Sequence, residues 1–192
     1  MATKEDILEQ IVEEYLLHNG YFVQHNLKFK PSENHPDFIK REDSNHSDID
    51  VIGYQPRRRD EEKIIVVSCK SWQAGFNPAS WINAIETNKE VNGRIAWKSF
   101  RELTKPKWSS AFVNAVEEVT GENKFTYVIA VTKLTGDKTI WEQNSNFRQA
   151  IKGNKIKILT FQEMIREIQS KLTTSLARTE VGRLLQLFKA SN

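Results

Sequence analysis

The chain has 192 residues, of which 39% are hydrophobic and 28% are charged, with a net charge of +3 and a single cysteine. This length suits one domain with a full core, and the composition is typical of a soluble globular protein. No apolar run approaches the roughly 20 residues that a membrane helix needs, and the N-terminus does not read as a secretory signal. The lone Cys69 cannot form an internal disulfide. We therefore expect a cytoplasmic protein.

The charges are unevenly distributed along the chain. Residues 1–62 hold 8 Lys and Arg against 14 Asp and Glu, whereas residues 63–192 hold 20 against 11. An acidic pole on a basic body could hold a divalent metal beside a polyanion. The plain alternative is a solvated surface whose asymmetry has no function.

The first part of the chain predicts one helix and three strands. Apolar residues recur at helical spacing over residues 7–16, and Gly20 ends this helix. Residues 21–30 predict a short strand, and the polar residues 31–47, which include two prolines, predict a loop. Two further strands, DIDVIGY and KIIVVSCKSW, are joined by QPRRRDEE, which indicates an antiparallel hairpin with a protruding tip.

The remainder of the chain alternates helices with strands. Residues 78–120 predict mainly helix, with breaks near Gly93 and Pro106. A strand (KFTYVIAVTKL), a helix (WEQNSNFRQAIKG), a strand (KIKILTF), a helix (QEMIREIQSKL) and a final amphipathic helix (TEVGRLLQLFKA) follow.

This order of elements, αβββαβαβα, predicts an α/β fold in which a central mixed sheet is flanked by helices. There is no internal repeat and no low-complexity linker. We therefore expect a single domain over residues 1–192, with a core over about 5–170 and a C-terminal helical extension over about 171–192.

Two acids and a lysine mark the ends of the predicted hairpin strands. Side chains alternate faces along a strand, so Asp48 and Asp50 share one face, and Ser68 and Lys70 share one face. If the strands pair, Asp50 and Lys70 can meet at one end of the sheet. A carboxylate that holds Mg²⁺ beside an ammonium group suits phosphodiester hydrolysis, because the metal lowers the pKa of a bound water and the lysine orients that water or stabilises developing charge.

The residues DVIG…IVVSCKSW resemble the PD-(D/E)xK nuclease superfamily, which has the restriction-endonuclease-like fold. The resemblance covers about residues 5–75 and implies an αβββαβ core whose site combines a helix Glu, a strand Asp and a (D/E)-x-K tripeptide. EQIVEEYLLHNGYFV is similar to the E-x(10)-G-[FYW] opening of Holliday-junction-resolvase-like and Mrr-like members. The match puts Glu9 at the helix Glu, Asp50 at the strand Asp and Lys70 at the lysine.

Ser68 stands where the resemblance implies the second acid. A serine hydroxyl brings no charge and is a poor Mg²⁺ ligand. Asp48 could compensate, as could Glu13, one turn after Glu9; alternatively, the fold has kept its shape and lost its chemistry. The resemblance thus implies a catalytic set of Glu9, Asp50, Ser68 and Lys70, and a metal-binding set of Glu9, Asp48 and Asp50.

The function implied by this resemblance is a Mg²⁺-dependent DNA endonuclease, with Mn²⁺ as a possible substitute, acting in restriction, repair or mobile-element defence. The alternative is a catalytically inactive nuclease-like domain that binds nucleic acid or a protein partner. No separate DNA-reading domain is evident, and the oligomeric state, including a homodimer, stays open.

Candidate DNA contacts lie on both sides of the tripeptide. Arg57, Arg58 and Arg59 at the predicted hairpin tip could clamp phosphates, or they could simply keep a turn soluble. Trp72 and Gln73 follow Lys70 at a place where family members often approach the scissile strand. Basic and aromatic residues also alternate in NGRIAWKSFRELTKPKW, a pattern that fits base stacking or, more often, core anchoring.

Each candidate also has an ordinary structural interpretation. Asp48 and Asp50 could cap a strand, Glu9 could be a solvated helix residue, and Lys70 could extend from a strand end. Cys69 points away from Lys70 and is expected in the core. His46 precedes Asp48 by two residues, but by default all four histidines are interpreted as surface or loop residues.

Overall fold

The structure, a computed structural model, describes residues 7–91, 93–173, 175, 177 and 179–191. Its strands are β1 (Phe22–Phe29), β2 (Ser47–Tyr54), β3 (Ile64–Lys70), β4 (Glu90–Val91), β5 (Arg94–Ile95), β6 (Thr126–Val131) and β7 (Lys155–Thr160). Its α-helices are α1 (Ile7–His18), α2 (Lys40–Asp43), α3 (Pro78–Glu86), α4 (Arg101–Thr104), α5 (Pro106–Thr120), α6 (Thr139–Glu142), α7 (Ser145–Ala150), α8 (Phe161–Lys171) and α9 (Glu180–Ala190). A 3₁₀ turn over Ala96–Phe100 leads into α4.

Five of the strands form one mixed sheet in the order β1-β2-β3-β6-β7. The β1, β2 and β3 strands are antiparallel neighbours, whereas β6 and β7 add in parallel after helical crossovers. The short β4–β5 pair forms a separate ribbon. The predicted α/β class, the mixed sheet flanked by helices and the antiparallel pairing of the hairpin strands are therefore confirmed.

A hydrophobic core lies on each face of the sheet. On one face, β-strand residues pack against α3, α5 and the aromatic side chains around them, including Phe76, Phe100 and Trp141. On the other face, Val51, Val67 and their neighbours pack against α1, α8 and α9. The strand positions of β3 alternate between these two cores, which is why its sequence reads as a continuous apolar run.

Several boundaries differ from the sequence prediction. The expected loop over 31–47 contains the single turn α2, and the β4–β5 ribbon and the 3₁₀ turn interrupt the helical region of 78–120. The helix expected around residues 141–153 is divided into α6 and α7, because the Asn144 side chain accepts the Phe147 N–H at 3.1 Å and starts a new helix.

The 31–47 segment is tied to α5 by a buried carboxylate. Asp43 is only 1% exposed and accepts hydrogen bonds from Ile39 N–H at 2.7 Å, Lys107 Nζ at 2.6 Å and Trp108 Nε1 at 3.1 Å. A buried charge with this many donors is well compensated, so Asp43 fixes the segment that leads into β2.

The C-terminal helix α9 packs against α1 and α8 through buried Leu185. The Thr179 hydroxyl, at the start of α9, donates to the buried Glu14 carboxylate of α1. Among the helices in the described part of the chain, none is long and apolar enough to cross a membrane.

Candidate active site

A polar pocket opens where β2 and β3 separate. Their pairing runs from Tyr54 opposite Ile64 to Val51 opposite Val67. One residue further along β2, the Asp50 carboxylate accepts the backbone N–H of Cys69 at 2.6 Å. A side chain thus replaces the strand partner of Cys69, and the space beside it is a cavity of about 300 Å³.

The structure brings four of the predicted site residues into this pocket. Asp48, Asp50, Ser68 and Lys70 all line it, as expected for two same-face pairs on neighbouring strands. Asp48 is exposed, whereas the other three are partly buried. Their catalytic and metal-binding roles stay predictions.

Glu9 is not among the residues that line the pocket. It is partly buried on α1, a helix whose apolar side packs against the face of the sheet that carries Val51 and Val67. Glu13, its suggested helper, has its carboxylate 3.4 Å from His25 Nε2. Neither Glu9 nor Glu13 is among the residues that line the pocket around Asp50.

The pocket contains a carboxylate that the sequence reasoning missed, Glu102 of α4. Its side chain is 6% exposed and accepts a hydrogen bond at 2.5 Å from the hydroxyl of Tyr127, which is fully buried. The Ser68 side chain interacts with the same hydroxyl. The one sequence signal was that Glu102 is the single acid in the basic and aromatic run over 92–108.

The environment of Asp50 favours a bound cation. Burial raises the pKa of Asp50, and the charges of Glu102 and, more weakly, Asp48 raise it further. Lys70 and the Cys69 N–H act in the opposite direction but do not outweigh these effects. Because the carboxylates repel one another in a partly desolvated pocket, a positive charge placed among them would stabilise their ionised forms.

Tyr127 is a fixed donor to Glu102 at every physiological pH. Burial raises the pKa of the Tyr127 phenol well above its ordinary value, and the charge of Glu102 raises it further. The phenol therefore keeps its proton and donates to one oxygen of Glu102, a residue that also lines the pocket.

The lysine lies beside the carboxylates without pairing with them. The Nζ atom of Lys70 lies 5.3 Å from the centroid of the Phe100 ring, a cation–π contact that orients the side chain. Within the described residues, Lys70 forms no salt bridge. Its ammonium group is thus held at the pocket and available to a ligand.

The residues predicted to contact DNA lie in different places in the structure. Trp72 lines the pocket, but its ring is stacked on Trp81 with centroids 4.3 Å apart and belongs to the aromatic core around Phe76 and Phe100. Gln73 is exposed and does not line the pocket.

The three arginines of the hairpin tip lie at the other end of the strands. Strand β3 begins at Ile64, next to the hairpin tip, and ends at Lys70, at the pocket. At about 3.3 Å per residue, the tip therefore lies about 20 Å from the pocket. Arg58 is also engaged, since it donates to Asp60 at 2.8 Å and to Glu62 at 3.0 Å. A clamp made of Arg57, Arg58 and Arg59 would therefore act far from Asp50.

The carboxylates of the pocket fit a hard divalent cation that shares its ligands with a substrate. Across the described ranges, no three His, Cys, Asp or Glu side chains are grouped closely enough to form a metal cage by themselves. Mg²⁺ is usually held by one or two carboxylates, with waters and substrate phosphates completing its shell. Asp50 and Glu102 both line the pocket and are oxygen donors that could hold such a cation, and the exposed Asp48 lines it as well.

Comparisons with protein-family models, with curated proteins and with solved structures each return no match to this chain.

Proposed function

We propose that this protein is a divalent-metal-dependent DNA endonuclease with a restriction-endonuclease-like core. The observation that carries the proposal is the convergence of Asp50, Lys70 and Glu102 on one polar pocket at the point where two paired strands separate. Two carboxylates beside an ammonium group are the parts that metal-assisted phosphodiester hydrolysis requires.

In this proposal, Glu102 supplies the second acid that is absent at position 68. Glu102 and Ser68 both meet the Tyr127 hydroxyl, so the carboxylate from α4 reaches the neighbourhood that an acid on β3 would occupy. The charge of Glu102 also affects the pKa of Asp50 more strongly than that of Asp48 does. Asp50 and Glu102 are therefore the proposed metal ligands, and Tyr127 is a positioning residue.

A bound metal would supply Lewis-acid polarisation of the phosphoryl group and a water of lowered pKa. The chain's own contribution is to hold the reacting groups. Asp50 and Glu102 provide the negative charge, and Lys70 orients the attacking water or stabilises negative charge that develops on the phosphate oxygens. The oxygen of the water would bond to phosphorus as the bond from phosphorus to the leaving oxygen breaks; the proton that the water loses would pass to solvent, and the leaving oxygen would take up a proton from solvent.

The proposal is tested by incubating supercoiled plasmid with the purified protein and either Mg²⁺ or Mn²⁺. We expect nicked and linear DNA with metal and none with excess EDTA. Asp50→Asn, which keeps the size of the side chain and removes its charge, is the matched control for contaminating nucleases. Cleavage at the wild-type rate in Asp50→Asn would show that the activity does not come from this pocket.

The second candidate function is a nuclease-like domain that binds nucleic acid or a protein without cutting. Ser68 favours it, because the tripeptide lacks its acid. This second function is supported if neither the wild-type protein nor Ser68→Glu cleaves DNA or RNA with either metal. That result would overturn the proposal that the protein is an enzyme.

A further inference from the structure

One wall of the pocket is basic. Arg94 of β5, Lys98 of the 3₁₀ turn and Arg101 of α4 all line the cavity that the acidic β2 residues also line. The β4–β5 ribbon and the 3₁₀ turn are the elements that interrupt the helical region and bring these cations to the pocket. Together with Lys70 they give the pocket four positive side chains against three carboxylates.

Arg101 has a structural role in this wall. Its guanidinium group lies 4.4 Å from the centroid of the Trp108 ring, and the charges of Glu102 and Asp43 act on it. It is also partly desolvated. A guanidinium group stacked and compensated in this way has little freedom to follow a ligand.

Arg94 and Lys98 are different, because neither has a carboxylate partner in the part of the chain that the structure describes. Arg94 is exposed, and Lys98 is partly buried with its Nζ 5.8 Å from the centroid of the Trp97 ring. Arg94 and Lys98 line the same pocket as Arg101 and Lys70. Like charges gathered on one wall repel one another, and a bound anion would relieve the repulsion.

We propose that Arg94 and Lys98 bind the sugar–phosphate backbone of a nucleic acid strand, at a phosphate that flanks the one facing Asp50 and Lys70. This assignment rests on the proposed function, since it identifies how the substrate of the same pocket is held. In this proposal the main phosphate contact is the segment of β5 and the 3₁₀ turn. The hairpin tip is not the main contact, because it lies at the far end of the strands.

The test measures DNA binding in EDTA, where hydrolysis cannot occur, by fluorescence anisotropy with a labelled duplex. Arg94→Ala/Lys98→Ala should weaken binding at about 0.15 M salt by at least tenfold. The slope of log K against log salt should become shallower by about 1.8, because each lost phosphate contact removes about 0.9 from the slope. Thermal unfolding of the double variant checks that the fold is kept.

The matched control is Arg57→Ala/Arg59→Ala, which removes the same number of charges from the hairpin tip and leaves the paired Arg58 in place. We expect this variant to bind within about twofold to threefold of the wild type, since its charges are separated from the pocket by more than a Debye length at physiological salt. An equal or larger loss in the hairpin variant, or wild-type binding by Arg94→Ala/Lys98→Ala, would overturn the proposal.

A competition arm separates a nucleic acid backbone from a free anion. An unlabelled oligonucleotide should displace the labelled duplex far better than inorganic phosphate at the same concentration of phosphate groups. Equal displacement would reassign the wall to a small free anion. These binding measurements do not depend on cleavage. A failure of the proposal that Arg94 and Lys98 bind phosphate can therefore be distinguished from a failure of the proposed nuclease activity.

Discussion

The Asp50 carboxylate accepts the backbone N–H of Cys69 at 2.6 Å, and Cys69 is the residue next to Lys70. This hydrogen bond connects the proposed metal ligand on β2 to the strand segment that carries the lysine. It also satisfies the Cys69 N–H where β2 no longer pairs with β3. Asp50 therefore has a structural role as well as the proposed catalytic one, and tests of its chemistry must keep the acceptor.

Asp50→Asn should strongly reduce the rate of cleavage without loss of fold. The amide oxygen can still accept from Cys69, but the negative charge that holds the metal is gone. We expect plasmid cleavage to fall by about 10²-fold or more, with an unchanged far-UV circular dichroism spectrum. A folded Asp50→Asn protein that cleaves at the wild-type rate would contradict the assigned role.

Lys70→Ala should lower the rate of cleavage at saturating DNA more than it lowers DNA affinity. The ammonium group acts on the attacking water or on charge that appears in the transition state, so its loss is felt mainly in turnover. Single-turnover cleavage and anisotropy measured on the same duplex separate the two effects. An equal loss of affinity and rate would make Lys70 an ordinary phosphate contact.

Glu102→Gln should weaken metal binding, because the amide keeps an acceptor for Tyr127 and removes one of two proposed anionic ligands. We expect the metal concentration for half-maximal cleavage to rise about tenfold or more. Glu118→Gln, an exposed acid on α5, is the control and should behave like the wild type.

Adding an acid at position 68 provides the reciprocal experiment. Ser68→Glu should strengthen metal binding in the wild-type background, and Ser68→Glu/Glu102→Gln should recover part of the activity lost in Glu102→Gln. Isothermal titration with Mn²⁺ follows the binding itself. If Glu102→Gln binds metal like the wild type, the second acid of the site must be another group.

Mn²⁺ should support cleavage better than Mg²⁺. Mg²⁺ demands near-ideal octahedral oxygen geometry, whereas a pocket with few protein carboxylates leaves much of the metal's shell to water and substrate. Initial rates at matched concentrations of the two metals measure this preference. A clear preference for Mg²⁺ would indicate a better-formed site than Asp50 and Glu102 alone provide.

Asp50→Asn should also stabilise the protein at neutral pH. Burial raises the pKa of Asp50, so above that pKa the folded wild-type protein carries an unfavourable partly buried charge that the asparagine lacks. Each unit of the rise corresponds to about 1.4 kcal/mol. The advantage of the variant should fade as the pH falls through the raised folded-state pKa, and urea unfolding at a series of pH values tests this trend.

Asp43→Ala should destabilise the fold by about 3–5 kcal/mol at neutral pH, because it leaves Lys107 and the Trp108 indole without their buried acceptor. Burial alone would raise the pKa of Asp43, but its hydrogen bonds outweigh burial and lower it. Its contribution is therefore present at neutral pH and is lost as the pH falls through the lowered folded-state pKa. Asp37→Ala, an exposed acid of the same segment, should change the free energy of unfolding by less than about 0.5 kcal/mol.

The sequence by itself determined the fold class and which residues of β2 and β3 share the pocket. Two apolar runs joined by a short polar connection are a local signal, which was sufficient to pair β2 with β3. Side chains alternate faces along a strand, and this put Asp48, Asp50, Ser68 and Lys70 on one side of the sheet. The helix that ends before Gly20 was predictable for the same reason, since Gly20 takes the positive φ of 79° that favours glycine.

Only the tertiary structure decided which other residues join that pocket. Glu102 and Arg94 come from short elements that follow β3 by more than twenty residues, and the packing of Trp108, Phe100 and Tyr127 brings them back to the sheet. The same geometry left Glu9 outside the pocket lining and put the hairpin arginines at the opposite strand end. Strand periodicity fixes which residues share a face locally, but long-range proximity depends on how side chains pack, and no local spacing encodes it.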